Sequence, residues 1–430
     1  MRIAYVIPVY PPVPSQPFVV NEMVEVQDAG HEVFLLPLYP APPSPVRHGT
    51  FERFRPAAVF APALCNARIF WQAVRTAVAR PLRVLTTLAG IHRAAGGNFY
   101  AQARLLAITP KALAAAGWLR RNGIGRIHAH FANQTADCAA IAGRVADVPF
   151  SFTAHAYDIY SRAPRLRNET LGWKLERAAQ AFAVSEFAAA RLRAATTREA
   201  SGRVHTAYVG IPMDLFRVAP PPPHDGALRL LAVARLQEKK GLDTLVDACA
   251  LLRARGVPVV LRVYGDGPCR DALAAQVVRL ALEDTVVLGG TVPQEEVARE
   301  MRACHVVVLP CRQDRTGDMD GIPTVFMEAM ATGRPVVSCP VSGIPELVRD
   351  GETGLLVPSD DPATLAAAIE RLAADDELRV SLGRQGRTLV ERQHDQRRNA
   401  RRLLEVMGAA PPDAAPAFVP GAASVAARRS

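Results

Sequence analysis

At 430 residues, 49% apolar and 21% charged, the chain is too long for one core and suits two domains of roughly 150–200 residues each. Seven cysteines without a C-x-x-C pair argue against a disulfide framework and a zinc site, and reduced thiols point to the cytoplasm. The net charge of +10 is unaccompanied by a finger pattern or an aromatic-plus-basic reading platform, so nucleic acid is not an expected partner.

The charge is unevenly placed. Residues 1–216 carry 24 Lys+Arg against 13 Asp+Glu, whereas residues 217–389 carry 20 against 24. A basic first half and a slightly acidic second half suggest different partners. No apolar run reaches the ~18–20 residues of a membrane span, and MRIAYVIPVYPP reads as a buried strand stopped by prolines, not as a signal peptide.

In chain order, short β-branched runs alternate with helical stretches, which predicts parallel sheets covered on both faces. RIAYVIP is a strand, FVVNEMVEVQDAG a helix closed by Gly30, and EVFLLPL a second strand. The stretch 69–93, IFWQAVRTAVARPLRVLTTLAGIHR, mixes Phe70 and Trp71 with Arg75, Arg80, Arg83 and Arg93. It reads either as an anionic membrane-surface contact or as a core helix pair with basic outer faces. IGRIHAHF, PFSFTAHA, AAQAFAVS and RVHTAYVG complete a first domain over 1–216. Pro220 to Pro223 form a semi-rigid connector.

The pattern restarts with LRLLAVARL and a helix from Leu242 to about Arg255. VVLRVYGDGP, TVVLGG, HVVVLPC, RPVVSCP and GLLVPSD follow as strands and strand ends. Asp361-Pro362 starts another helix, with Asp as its cap. The second domain is expected over 217–390, a last helix over about 391–407 returning to the first domain, and a disordered Ala/Pro-rich tail over 408–430. Two facing doubly wound Rossmann-like α/β domains would bind ligands between the carboxyl ends of their strands.

PCRQDRTGDMDGIPTVFMEAMATGRPVVS, residues 310–338, is the most informative segment. A strand ends at Pro310, a polar loop carries Asp320, and a helix begins near Pro323. Gly321 permits a close backbone approach to a ligand. The free amides after Ile322 suit an anion. Glu328 shares a helix face with Thr324, where a carboxylate can accept two ribose hydroxyls. On residue types alone, an ordinary capped amphipathic helix fits equally well.

This segment resembles the GT-B retaining glycosyltransferases of glycosyltransferase family 4, in which a carboxylate, seven residues, a glutamate and an Ala-Met-Ala-x-Gly-x-Pro-Val-Val run occur together. Here they are Asp320, Glu328 and AMATGRPVV; Asp320 stands where the family usually has Glu. The resemblance covers nearly the whole chain. It implies that Arg235 and Lys240, in ARLQEKKGLDTLVDA, bind the donor diphosphate, and that Gly265 and Gly267 form the turn beside the nucleotide. Ile322, Pro323 and Thr324 with Gly343 and Glu346 would line the donor site. His155, in FTAHAYDIY, would lie near the transferred sugar, with Asp320 beside it; His128 and His130 read more simply as structural. Two cations replace a metal in this scheme, so Asp318-Met319-Asp320 is not taken as a metal-binding DxD. No cofactor is implied beyond the nucleotide-diphosphate sugar. The loop from Tyr10 to Phe18 lacks a Gly-Gly pair and is closer to exopolysaccharide transferases that have Ser and Phe before an Asn-Glu helix, here Ser15, Phe18, Asn21 and Glu22.

The implied activity is sugar transfer, with retained configuration, from a nucleotide sugar to a growing and lipid-linked glycan. With no carboxylate pair placed as nucleophile and acid, front-face attack fits better than double displacement. Two other readings use the same site: a nucleotide-sugar epimerase of this architecture, and a catalytically weak scaffold in polysaccharide assembly.

Overall fold

The structure is a computed structural model and describes residues 1–10, 17–40, 53–54, 66–160, 167–223 and 226–408. The expected tail over 408–430 therefore lies outside the described residues apart from Gly408, as do 11–16 of the first loop.

Among the described residues, twelve strands build two parallel sheets. The first holds β1 (Arg2–Tyr10), β2 (Glu32–Pro40), β3 (Arg126–His130), β4 (Phe150–Ala154), β5 (Gln180–Ala183) and β6 (Val204–Thr206) in the order β2-β1-β3-β4-β5-β6. The second holds β7 (Leu228–Val233), β8 (Val259–Tyr264), β9 (Val286–Gly290), β10 (Val306–Val308), β11 (Val336–Ser338) and β12 (Gly354–Leu356) in the order β12-β11-β10-β7-β8-β9. Central strands such as Ile3–Ile7 and Val306–Val308 are buried at every residue. Helices cover both faces of such sheets, so the strand sequences run continuously apolar instead of alternating.

Strand order reverses between β1 and β3 in the first sheet and between β7 and β10 in the second. Crevices for ligands form at such reversals, beyond the carboxyl ends of the strands. The β3 and β4 ends carry His130 and His155, and the β7 and β10 ends lead to Arg235 and Asp320.

Between the sheets, the Arg334 guanidinium donates to the carbonyls of Ala219 and Pro220, tying the proline connector to the second domain. The expected single helix over about 391–407 is instead two. Asp376–Gln393 packs on the second domain, and Gln396–Val406 packs beside the Pro17–Asp28 helix of the first. The break follows from a crossing of chains. Ile211 N–H donates to the His394 carbonyl at 2.9 Å, and a Cβ on Gly210 would lie 2.4 Å from the Cα of Gln396. Asp395 then caps the new helix by accepting from Arg398 N–H. Ala400 and Leu404 close a core with Ile3, Tyr5, Val20 and Met23.

The 69–93 stretch forms two helices, Ala67–Ala79 and Pro81–Ala95, separated at Arg80 because Pro81 opens the second. A third helix, Phe99–Arg121, follows them.

Candidate active site

The second-domain half of the site begins in the loop after β7. Arg235 is exposed there, with no hydrogen bond or ion pair to another described side chain. Its loop is clamped from below by the Gly265–Pro268 turn. Leu236 N–H donates to the Asp266 carbonyl, and Cys269 N–H donates to the Leu236 carbonyl, both at 3.0 Å. A Cβ on Gly265, at φ +130°, would sit 1.8 Å from the Ala234 oxygen, and one on Gly267 would sit 2.5 Å from the Leu236 oxygen. Both glycines are thus explained by packing under the Arg235 loop, before any ligand is considered.

Lys240 closes a 3₁₀ turn, Glu238–Lys240, ahead of the Leu242–Ala254 helix. Its Nζ lies 2.6 Å from Asp320 Oδ2, while Lys239 Nζ lies 2.8 Å from Asp318 Oδ2 and 3.3 Å from Asp320 Oδ1. In this structure the first partner of Lys240 is Asp320, so contact with a diphosphate would require its ammonium to turn from that carboxylate. Burial works to raise the Asp320 pKa, but Lys240 and Lys239 outweigh it and hold the carboxylate below the usual range. The two lysines also supply the positive charge that an ion between Asp318 and Asp320 would bring, which is a physical reason to read no DxD metal site there.

From Asp320 the chain turns through Gly321 and Ile322 into the Thr324–Ala331 helix. Pro323 is the cap residue and gives no side-chain hydrogen bond. Phe326 N–H donates to the Pro323 carbonyl, which leaves the Thr324 and Val325 amides for an anion, as at other helix N-termini. Glu328 is buried, and burial raises its pKa to about 7, with the Gln294 side chain opposing. A carboxylate held this way gains from neighbouring hydroxyl donors.

The folded pKa of Glu328 exceeds its ordinary value, so the folded protein binds more protons and loses stability on this account as pH rises from about 4.5 to about 7. Glu328→Gln is accordingly expected to raise the melting temperature relative to wild type, by an increment that grows across that window and then levels. Differential scanning calorimetry across the window checks this; an increment independent of pH would contradict it.

The first-domain half is built on the β3 and β4 ends. His155 is buried, and its ring packs against Phe18 and Phe131 at centroid distances of 5.0 and 4.5 Å. Its backbone N–H and that of Ala156 donate to the Asp158 carboxylate, which also accepts from Ala132 N–H. One buried carboxylate thus ties both strand ends together. Lys174, fully buried, supports the same loop by donating to the Ala132 carbonyl and to Asp137. Burial first, and then His130, push the His155 pKa well below its ordinary value, so the ring is neutral. His128 donates to or accepts from Ser151 and Thr153 through its two ring nitrogens, which makes it structural. His130 is not so placed: its Nδ1 lies 3.2 Å from His155 Nε2.

Three of the expected donor-site residues have neighbours across the seam between the domains. A Cβ on Gly321 would lie 3.3 Å from the His155 carbonyl oxygen, and one on Gly343 would lie 2.7 Å from Ser185 Cβ. Their small size lets the two domains approach each other. Glu346 accepts from the backbone N–H groups of Glu186 and Phe187 at 2.8 and 2.9 Å and from the Tyr208 hydroxyl at 2.9 Å. A carboxylate of the second domain thus caps the Glu186–Ala194 helix of the first, a favourable place for negative charge. Its pattern in sequence suggested the donor; only the fold shows this helix opposite. Glu346→Ala is expected to cost about 1–2 kcal/mol and to enlarge the radius of gyration in small-angle scattering as the domains part. An unchanged scattering profile would show that other contacts hold the seam.

The site thus brings together Arg235, Lys240, Asp320, Glu328 and uncapped helix amides, with His155 at the facing carboxyl ends. The two parallel-sheet domains that carry these residues have the GT-B architecture. A family model described as "Glycosyl transferases group 1" matches residues 227–375. The amylovoran biosynthesis glycosyltransferase of Erwinia amylovora is 30% identical over 416 residues, covering 92% of this chain and 97% of that protein. A Salmonella typhimurium protein named for a glycosyltransferase of colanic acid biosynthesis is 30% identical over 381 residues, covering 85% and 89%. Among solved structures, Anabaena HepE in complex with UDP aligns with a TM-score of 0.65 at 17% identity, over 95% of this chain and 100% of that one. Sucrose-phosphate synthase from Thermosynechococcus elongatus aligns with a TM-score of 0.66 at 20% identity, over 95% and 98%. The chain belongs to the group 1 glycosyltransferases and has their GT-B fold.

Proposed function

We propose that the protein transfers a sugar from a nucleoside-diphosphate sugar to a growing exopolysaccharide, with retention of configuration and without a metal. The reading is supported most by the placement of Arg235, Lys240 and the Thr324 and Val325 amides at the reversal between β7 and β10, where doubly wound sheets bind nucleotides. Arg235 and Lys240 hold the diphosphate and offset the charge it gains as the bond to the sugar opens. Glu328 accepts the ribose hydroxyls, and Asp320 meets the sugar once Lys240 turns to the phosphate. The polysaccharide acceptor is proposed by analogy with the amylovoran and colanic acid proteins. Incubation of the purified protein with nucleotide sugars and oligosaccharide-diphospholipid acceptors tests this, with the anomeric configuration of the product read by NMR. An isomerised donor without acceptor would establish the epimerase instead, and absence of both transfer and nucleotide binding would establish the scaffold.

A lipid-linked acceptor and docking at an anionic membrane belong to the same proposal. Residues 67–122 contain nine Lys+Arg and no Asp or Glu. On the three helices of this segment Phe70, Trp71, Val78, Leu82, Leu85, Phe99 and Leu106 are all exposed. Apolar side chains among exposed cations such as Arg68, Arg75 and Arg93 suit the headgroup region of an acidic bilayer. Arg83 is paired through both guanidinium nitrogens with Asp147. The protein is expected to co-sediment with phosphatidylglycerol vesicles at low salt. Arg68→Glu, Arg75→Glu and Arg93→Glu together should release it, and equal binding by wild type and variant would remove the membrane reading.

A further inference from the structure

A cavity of about 480 Å³ opens on the second domain, away from the donor site. Two of its lining residues, His305 and Pro335, directly precede β10 and β11, so it lies at the amino ends of those strands. The connector from Val218 to Pro221 forms one wall and the Asp376–Gln393 helix another. Gly333, at φ +78°, turns the chain between them. A Cβ there would lie 3.4 Å from Val218 Cγ2, and one on Gly383 would lie 2.1 Å from the Gly333 carbonyl oxygen. The two glycines thus bring helix, turn and connector together around the cavity. Its volume falls in the range of roughly 300–1,000 Å³ usual for small-molecule sites.

Among the described residues, four arginines line the cavity and no Asp or Glu does. Arg379 pairs with Asp376, and Arg387 Nε lies 2.7 Å from Glu391 Oε1. Arg334 is buried with carbonyls alone: besides those of Ala219 and Pro220, its guanidinium donates to those of Met301 and Arg302 at 3.1 and 2.9 Å. Arg384 is exposed, and its guanidinium has no hydrogen bond or ion pair to another described residue. Two guanidinium charges are therefore unopposed by a described carboxylate. The rest of the lining is largely apolar. Val218 and Val380 are 63% and 50% exposed and stand with Pro220, Pro221 and Pro335. Val380, Arg384 and Thr388, spaced by four, share one helix face.

We propose that this cavity binds an amphipathic phosphate monoester, its alkyl or prenyl chain on the valine and proline wall and its phosphoryl oxygens on the Arg384 guanidinium. An apolar chain gains by covering the exposed valines. A phosphate monoester, with a charge of about −1.5 to −2, matches two unopposed guanidinium groups better than a singly charged carboxylate does. The planar fork of Arg384 suits two phosphoryl oxygens at once, and Arg334 gains from a nearby anion without touching it. The site is separate from Arg235 and from the Thr324 and Val325 amides, which lie beyond the carboxyl ends of the strands.

The test is calorimetric titration of the full chain with decyl phosphate below its micelle concentration. Saturable one-to-one binding is expected, with decanoate and decyl maltoside binding more weakly and inorganic phosphate weaker still. Arg384→Glu and Val380→Asp, both at exposed positions, should each lower the affinity about tenfold or more, the scale of one charge-assisted hydrogen bond, while melting near wild type without ligand. Arg235→Ala and the triple Arg68→Glu, Arg75→Glu, Arg93→Glu variant should bind as wild type does. Absence of saturable binding would overturn the proposal, and so would full affinity in both Arg384→Glu and Val380→Asp. Equal binding of decanoate, decyl maltoside or inorganic phosphate would overturn the ligand class. Loss of binding in Arg235→Ala or in the triple variant would place the ligand elsewhere. The titration involves neither sugar nor nucleotide, so its outcome is independent of the transferase reading.

Discussion

Arg235→Ala is expected to lower kcat/KM for sugar transfer by roughly 10²–10³-fold, the usual effect of deleting one group aimed at charge that develops in the transition state. The side chain is exposed and without a partner among the described side chains, so its loss leaves no buried group unpaired and the melting temperature should stay near that of wild type. The loss should fall on kcat more than on donor affinity, because the diphosphate is more negative when leaving than when bound as an ester. Arg235→Lys should recover part of the rate, keeping the charge and losing the planar fork. Steady-state kinetics with the donor varied, alongside a thermal melt, reads both quantities. Near-normal turnover in Arg235→Ala would remove it from the reaction.

Lys240→Met has a different expected signature, because Lys240 is paired with a largely but not fully buried carboxylate at 2.6 Å. Removing one partner of such a pair costs about 3–5 kcal/mol, reduced here because Lys239 remains 3.3 Å from Asp320. The variant should therefore melt earlier and transfer sugar roughly 10²-fold more slowly. Adding Asp320→Asn takes away the stranded charge. The double variant should regain most of the stability and none of the activity. Recovery of both would mean that the pair is purely structural; recovery of neither would mean that the helix start after Asp320 depends on the ion pair for its shape.

The sheets were legible because their physics is local. Five to seven apolar β-branched residues between turn signals read as strands buried on both faces, and Asp361-Pro362 announced a capped helix. The Thr324–Glu328 spacing was legible because a helix turn fixes it, whereas the Asp320–Glu328 pair was legible only through the family resemblance. What sequence could not show is pairing across the cleft. Gly321, Gly343 and Glu346 lie in donor-type motifs, yet their neighbours are His155, Ser185 and the Glu186–Ala194 helix, contributed by the other domain. The Phe99–Arg121 helix was obscured by Pro110 within it and by small and apolar residues on every side. His130 looked structural because its two partners, Glu22 and His155, are 108 and 25 positions away. One signal was available: two histidines in alternate positions at a strand end place both rings on one face.

The grip on the donor is tested most directly by a crystal structure of the protein with a nucleoside diphosphate sugar bound. The diphosphate is expected against Arg235 and the amides of Thr324 and Val325, Lys240 turned from Asp320 onto a phosphoryl oxygen, and Glu328 within hydrogen-bond reach of two ribose hydroxyls. A nucleotide bound elsewhere, or bound there with Lys240 still on Asp320 and Arg235 in solvent, would contradict the mechanism.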